Sequence, residues 1–179
     1  PHLMCTELYS KMTPETFDLT IQSGKYKELG KTQKLIYSTN AGESSITIPD
    51  LDVVLDQGTE LEAFFHPDIF GSSLHNVMIT KAQAIQRAGR VGRSKPGVCY
   101  RLYTKEHYDK MPEFPSSEIR RSDITIEILR GIKNTENKTY SESEQLFSQL
   151  IDPPTEKQLL SSKKLCLLYG LLRIGEDPN

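Results

Sequence analysis

The chain has 179 residues, enough for one domain or a compact core with a small appended module, and its 36% hydrophobic and 26% charged residues are ordinary for a globular protein. A formal net charge of -2 carries no overall basic signature, so any site for a polyanion has to be local. Cys5, Cys99 and Cys166 have no C-x-x-C or histidine partner at metal spacing, and the apolar run Leu165 to Leu172 is far too short to span a bilayer, so neither a zinc motif nor a membrane helix is expected and an intracellular location is.

Thr13-Pro14-Glu15 sets a capping residue ahead of a first-turn proline, and the spacing of Phe17 and Ile21 predicts a short helix that Gly24 stops. No strand is evident before it, so the first strand of an α/β domain is expected to be missing. Leu35–Ser38 and Val53–Leu55 read as strands, the second ended by Asp56-Gln57-Gly58. Phe64-Phe65-His66-Pro67 and then Gly71-Ser72-Ser73 predict a hairpin turning near Gly71, and neither His66 nor His75 is read as a ligand. Thr80 caps a helix through Ala82, Ala84, Ile85 and Ala88, and Val98–Leu102 makes a further strand after Pro96-Gly97. The three strands are expected in one parallel sheet. Residues 111–117 read as a linker. Beyond it Ser122 is expected to cap a helix striped by Ile124, Ile128 and Ile132, then comes a polar stretch over 134–143, and a last helix follows Asp152-Pro153-Pro154-Thr155 with Leu159, Cys166 and Tyr169 on its apolar face.

Between Asp68 and Glu106 there is no acidic residue, while Lys81, Arg87, Arg90, Arg93, Lys95, Arg101 and Lys105 all fall there. That block is either a solvated basic face or a place for phosphates. Within it stands Gln86-Arg87-Ala88-Gly89-Arg90-Val91-Gly92-Arg93. A continuing helix puts Gln86, Arg90 and Arg93 on one face, and two guanidiniums beside a carboxamide suit phosphoryl transfer, where fixed charge meets the transferring oxygens and an amide orients water. The run Thr39 to Ile48 follows a strand directly, where ligands sit in an open α/β sheet. Its plain alternative is a capping box variant built on Asn40 and Glu43.

The two segments resemble motifs V and VI of superfamily 2 helicases, most closely the DEAH-box RNA helicases. Thr39 through Ile48 is similar to that family's Thr-Asn-Ile-Ala-Glu-Thr-Ser-Leu-Thr-Ile, with Ala41 and Gly42 departing from it, and Gln86 to Arg93 has its Gln-Arg-x-Gly-Arg-x-Gly-Arg. The resemblance extends through Asp56-Gln57-Gly58, the Gly97–Tyr103 strand, Glu118–Arg121 and Asp152-Pro153-Pro154. It implies an α/β, RecA-like parallel sheet with helices on both faces over residues 1–116, the second RecA-like domain of such an enzyme, and a partial, helical winged-helix lobe over 117–179. It further implies Arg90 and Arg93 as arginine fingers, Gln86 placing the hydrolytic water, Ser45 and Thr47 on the nucleotide side, and Thr39 and Asn40 on the RNA backbone. The hairpin beside the bound strand makes Phe64 and Phe65 candidates for base stacking.

Neither G-x-x-x-x-G-K-[ST] nor Asp-Glu-x-His occurs in the chain. The resemblance therefore assigns the magnesium ligands for ATP to a first RecA-like domain, a partner alongside single-stranded RNA and an activator protein. Two alternatives are a non-catalytic RNA-binding scaffold of the same fold and a viral superfamily 2 helicase of the flavivirus or poxvirus group.

Overall fold

The computed structural model describes residues 2–43 and 46–173. A strand the sequence reading does not find, β1 (Leu3–Leu8), precedes the first helix, with Met4, Thr6 and Leu8 buried in alternation. Thr6 is tolerable there because its hydroxyl bonds that of Thr20 at 2.6 Å, a buried contact that no local pattern reveals. Helix α1 (Pro14–Ile21) starts as expected, Thr13 Oγ1 accepting from the Thr16 amide at 3.4 Å ahead of Pro14. Gly24 then takes a left-handed backbone, φ 70°, and leads into the single turn α2 (Lys25–Glu28).

Strand β2 (Gln33–Ser38) runs parallel to β1, from Leu3 opposite Gln33 to Leu8 opposite Ser38. Strand β3 (Val53–Asp56) runs parallel to β6 (Val98–Arg101), Val53 facing Val98 and Asp56 facing Arg101. The single sheet expected through all three strands is thus corrected to two hydrogen-bonded ladders, β1-β2 and β3-β6. Both are parallel, and helices alternate with the strands. Strands β4 (Thr59–His66) and β5 (Gly71–Met78) pair with each other in the expected hairpin. Phe70, next to the expected Gly71, adopts the left-handed backbone at its turn, φ 50°.

Helix α3 (Lys81–Ala88) begins with a full capping box: Thr80 accepts from the Gln83 amide, and the Gln83 side chain reaches back to the Thr80 amide. Helix α4 (Lys105–Lys110) follows β6. Ile79, Ala84 and Met111 form a small core with Tyr103 and Tyr108 against it.

By compactness the chain falls into two units, residues through Glu60 with Asn76–Pro115, and Leu61–His75 with residues from Ser116 onward. The second unit holds α5 (Thr125–Asn134), α6 (Tyr140–Ser148) and α7 (Glu156–Leu168). The Ile124, Ile128, Ile132 stripe is its core, packed by Phe147, Tyr140 and Leu159. Three expectations change here. Asp123 rather than Ser122 accepts the first helical amide, that of Thr125 at 3.0 Å. The polar stretch contains the start of α6, capped by Thr139 and seated where Ser143 packs under Gly131. Tyr169 lies past the end of α7 and is exposed, whereas Cys166 is buried. Part of the hairpin joins this unit, since the Phe65 amide donates to the Arg121 carbonyl at 2.7 Å and Arg121 pairs with Glu62 at 2.8 Å.

Gly58 joins β3 to β4 at φ +79°, and a Cβ there would fall on the Tyr103 ring, 2.8 Å from Cε1. Gly58→Ala is therefore expected to destabilise the first unit by roughly 1–3 kcal/mol from backbone strain alone. Urea denaturation followed by circular dichroism checks this, and an unchanged midpoint would show that the turn relaxes freely.

Candidate functional site

At the end of β2 the chain turns through Asn40–Gly42. Thr39 caps that turn, its Oγ1 accepting from the Ala41 amide at 3.4 Å. Asn40 does not serve as the cap. Its Nδ2 donates to Glu60 Oε2 at 2.9 Å, while Gln83 Nε2 donates to the other oxygen of the same carboxylate at 2.7 Å. Glu60 thereby ties the turn after β2 to the first turn of α3.

A second tie is buried. Asp56, 1% exposed, ends β3, and its carboxylate accepts from the Gly58 amide at 3.0 Å, the Tyr103 hydroxyl at 2.8 Å and Arg87 Nη1 at 3.1 Å. Arg87 also donates to the Thr59 carbonyl at 3.1 Å and through Nε to Glu43 Oε2 at 3.0 Å. Burial works against the Arg87 charge, but the Glu43 and Asp56 carboxylates outweigh it and raise its pKa. Burial, and then the hydrogen bond to Asp56, pushes the Tyr103 phenol well above its usual range, so it stays protonated and donating. Arg87 and Asp56 stand within the motifs, but nothing local in the sequence gives either a role. The available signal is Ala84, three residues before Arg87 on the buried face of α3, because an arginine on a core face requires acceptors.

Helix α3 stops at Ala88, and Gly92 takes φ 77°. The helix ends at Ala88 as expected, so the condition for Gln86, Arg90 and Arg93 to share one helical face, a helix continuing past it, is not met: both arginines lie in the turn beyond the helix. They still fold back alike. Arg90 Nε donates to the Gln86 carbonyl at 3.3 Å and Arg93 Nε to the Gly89 carbonyl at 3.1 Å. Their outer nitrogens reach the segment after the first turn, Arg90 Nη1 to the Ile46 carbonyl at 3.1 Å and Arg93 Nη1 to Thr47 Oγ1 at 2.9 Å. Thr47, Arg90 and Arg93 are thus brought together. The Gln86 residue is exposed, and its backbone carbonyl makes the contact. Ser45 lies outside the described residues.

The charges of Arg90 and Arg93 rest on neutral acceptors, unlike that of Arg87. Among the described residues no carboxylate lies within ion-pair distance of either. Burial and the neighbouring Arg93 charge lower the Arg90 pKa, against a weaker pull from Glu43, although a guanidinium so shifted remains a cation. An anion held by both would relieve that repulsion.

Phe64 and Phe65 lie on β4, in residues that belong to the second unit. Adjacent strand residues point to opposite faces, so they do not share one stacking surface. The Phe64 ring meets His75 edge-on, centroids 5.6 Å apart.

Residues 2–95 match the family model for the helicase conserved C-terminal domain. The chain belongs to that family. Its relatives include the "Putative ATP-dependent RNA helicase L540" of Acanthamoeba polyphaga mimivirus, 41% identical over 173 residues, 96% of this chain and 25% of that protein. The ATP-dependent RNA helicase DEAH12 of Arabidopsis thaliana is 41% identical over 106 residues, 57% of this chain and 6% of its own length. The crystal structure of the Escherichia coli DExH-box NTPase HrpB superposes with a TM-score of 0.76 at 25% identity, over 96% of this chain and 20% of that one. The chain spans a quarter or less of each of these proteins. Together the matches set it with the DEAH/RHA helicases of superfamily 2, and the alternating parallel strands and helices are the RecA-like fold of the helicase C-terminal domain.

In this helicase domain the buried pair and the exposed arginines should separate in stability measurements. Asp56→Ala leaves the Arg87 guanidinium facing one carboxylate instead of two, and removing one partner of a buried pair costs roughly 3–5 kcal/mol. Arg93→Met should cost less than about 1 kcal/mol. Chemical denaturation of both variants tests the contrast, and equal losses would mean that the two arginine environments are not distinct.

Proposed function

We propose that this chain is the part of an ATP-dependent RNA helicase that supplies Arg90 and Arg93 to the γ-phosphate of the bound nucleotide. The observation that carries the reading is their arrangement: two neighbouring guanidiniums, fixed by carbonyls and a hydroxyl, with no carboxylate within ion-pair distance among the described residues. Such preorganised charge favours oxygens on which negative charge grows during phosphoryl transfer. Ser45 and Thr47 would lie on the nucleotide side, and Gln86, exposed at the last turn of α3, would orient the attacking water.

Thr39 and Asn40 are the proposed contacts to the RNA backbone. Phe64 or Phe65 would stack on bases of single-stranded RNA, and the helices from residue 117 onward would belong to a winged-helix domain. Because the chain carries neither G-x-x-x-x-G-K-[ST] nor Asp-Glu-x-His, the magnesium that accompanies ATP is assigned to a first RecA-like domain, which would close the nucleotide site from its other side. An intracellular location and regulation by an activator protein complete the proposal.

Because half the nucleotide site is assigned elsewhere, the purified 179-residue chain should hydrolyse no ATP above a blank in a steady-state phosphate-release assay. The finger assignment is tested in a full-length helicase carrying this chain. Arg90→Lys and Arg93→Lys keep the charge but lose the planar fork, and each should lower RNA-saturated turnover by about a thousandfold or more. RNA affinity should barely change. Lys95→Ala serves as control, since Lys95 pairs with Asp52 at 2.7 Å in an exposed contact, and its removal should leave turnover intact. Near-normal turnover in the two arginine variants, with weakened RNA binding in all three, would instead favour the non-catalytic RNA-binding reading.

A further inference from the structure

The hairpin carries two histidines and a serine that the helicase reading does not use. Phe64 and His66 are two apart on β4, as are Ser73 and His75 on β5, so each pair shares a face of its strand. Contacts across the strands bring the two pairs together. His66 Nε2 lies 2.5 Å from Ser73 Oγ, and His75 Nε2 lies 2.7 Å from the same oxygen. A hydroxyl has one proton, so with both imidazoles neutral it donates to one Nε2 and accepts an N–H from the other. The two rings stand 6.3 Å apart by centroid at 73° to each other, and the Phe64 edge braces His75 at 5.6 Å.

Two imidazole nitrogens that approach one atom from two strands have the directions of paired metal ligands. We propose that His66 and His75 form a cross-strand site for a divalent transition-metal cation that prefers imidazole, with Zn2+ as its first candidate. Coordination needs each Nε2 at about 2.0–2.1 Å from the ion. Both nitrogens already reach a common atom, so small ring rotations suffice. The histidine that donates to Ser73 moves its proton from Nε2 to Nδ1, freeing the lone pair, and the serine hydroxyl turns away. Water completes the coordination shell. Imidazole ligands select zinc, nickel and copper over magnesium and calcium, which favour oxygen. No sequence motif marks the pair, because the ligands meet only through strand pairing. A cation held this way would clip β4 to β5.

Isothermal titration of the 179-residue chain with ZnCl2 tests the site. One bound ion is expected, also with NiCl2 but not with MgCl2. His66→Ala and His75→Ala should each weaken zinc binding by about tenfold or more, whereas Ser73→Ala should retain it. Hydrogen exchange of the strand amides within 61–75 should slow on adding ZnCl2 in the unsubstituted chain and not in either histidine variant. Far-UV circular dichroism establishes that each variant is folded, and if an alanine variant is not, His66→Gln or His75→Gln takes its place. Absence of zinc binding overturns the proposal. So does zinc bound equally well by both histidine variants, because the ion would then sit elsewhere.

Discussion

A carboxylate out of reach of water has to be answered completely, and the arrangement of the first unit depends on how Asp56 is answered. Its partners come from three places in the chain: the turn at Gly58, the Tyr103 hydroxyl just past β6 and the Arg87 guanidinium on α3. One group therefore joins the β3-β6 ladder to the helix. Arg87 extends the tie to Glu43, immediately after the Asn40 turn. Ile46 and Thr47, a few residues past Glu43, meet Arg90 and Arg93, a few residues past Arg87, because this frame has fixed both origins. A buried charge pair adds little net stability compared with apolar packing, but it is selective about geometry, since misplacing either partner strands a charge.

The features legible in the sequence are those whose physics is local. Thr13, Thr80 and Thr155 announce helix starts because a hydroxyl two or three residues ahead of an amide needs nothing else. Strand β1 was not legible because its inward Thr6 depends on Thr20, and α6 was not because a polar segment packs only where Ser143 meets Gly131. The same division holds in the site. The spacing of Gln86, Arg90 and Arg93 pointed to phosphate chemistry, yet the arginines meet the other segment through a turn rather than a helix face, and the frame that positions them rests on Arg87, Asp56, Glu43 and Glu60, which meet only in three dimensions.

The hairpin shows how far such long-range contacts redistribute a chain. Along the sequence, β4 and β5 fall between two segments of the first unit. Hydrogen bonds from Phe65 to Arg121 and from Ser161 to the Pro67 carbonyl hold residues 61–75 among the helices instead. Residues 61–75 thus belong to the second unit although their chain neighbours Glu60 and Asn76 belong to the first.

The contrast between Arg87 and its neighbours has a consequence for ionic strength. At 1 M salt the Debye length shrinks to about 3 Å, so the attraction of exposed or half-exposed guanidiniums such as Arg93 and Arg90 for a distant anion is largely screened. The Arg87 contacts to Asp56 and Glu43 are direct and mostly shielded from solvent, so mobile ions cannot enter between them. Concentrated salt thus weakens any anion attraction at the end of this domain that carries Arg90 and Arg93 while sparing the frame behind it. A changed response to anions on one side and an intact fold on the other are then compatible outcomes of the same titration.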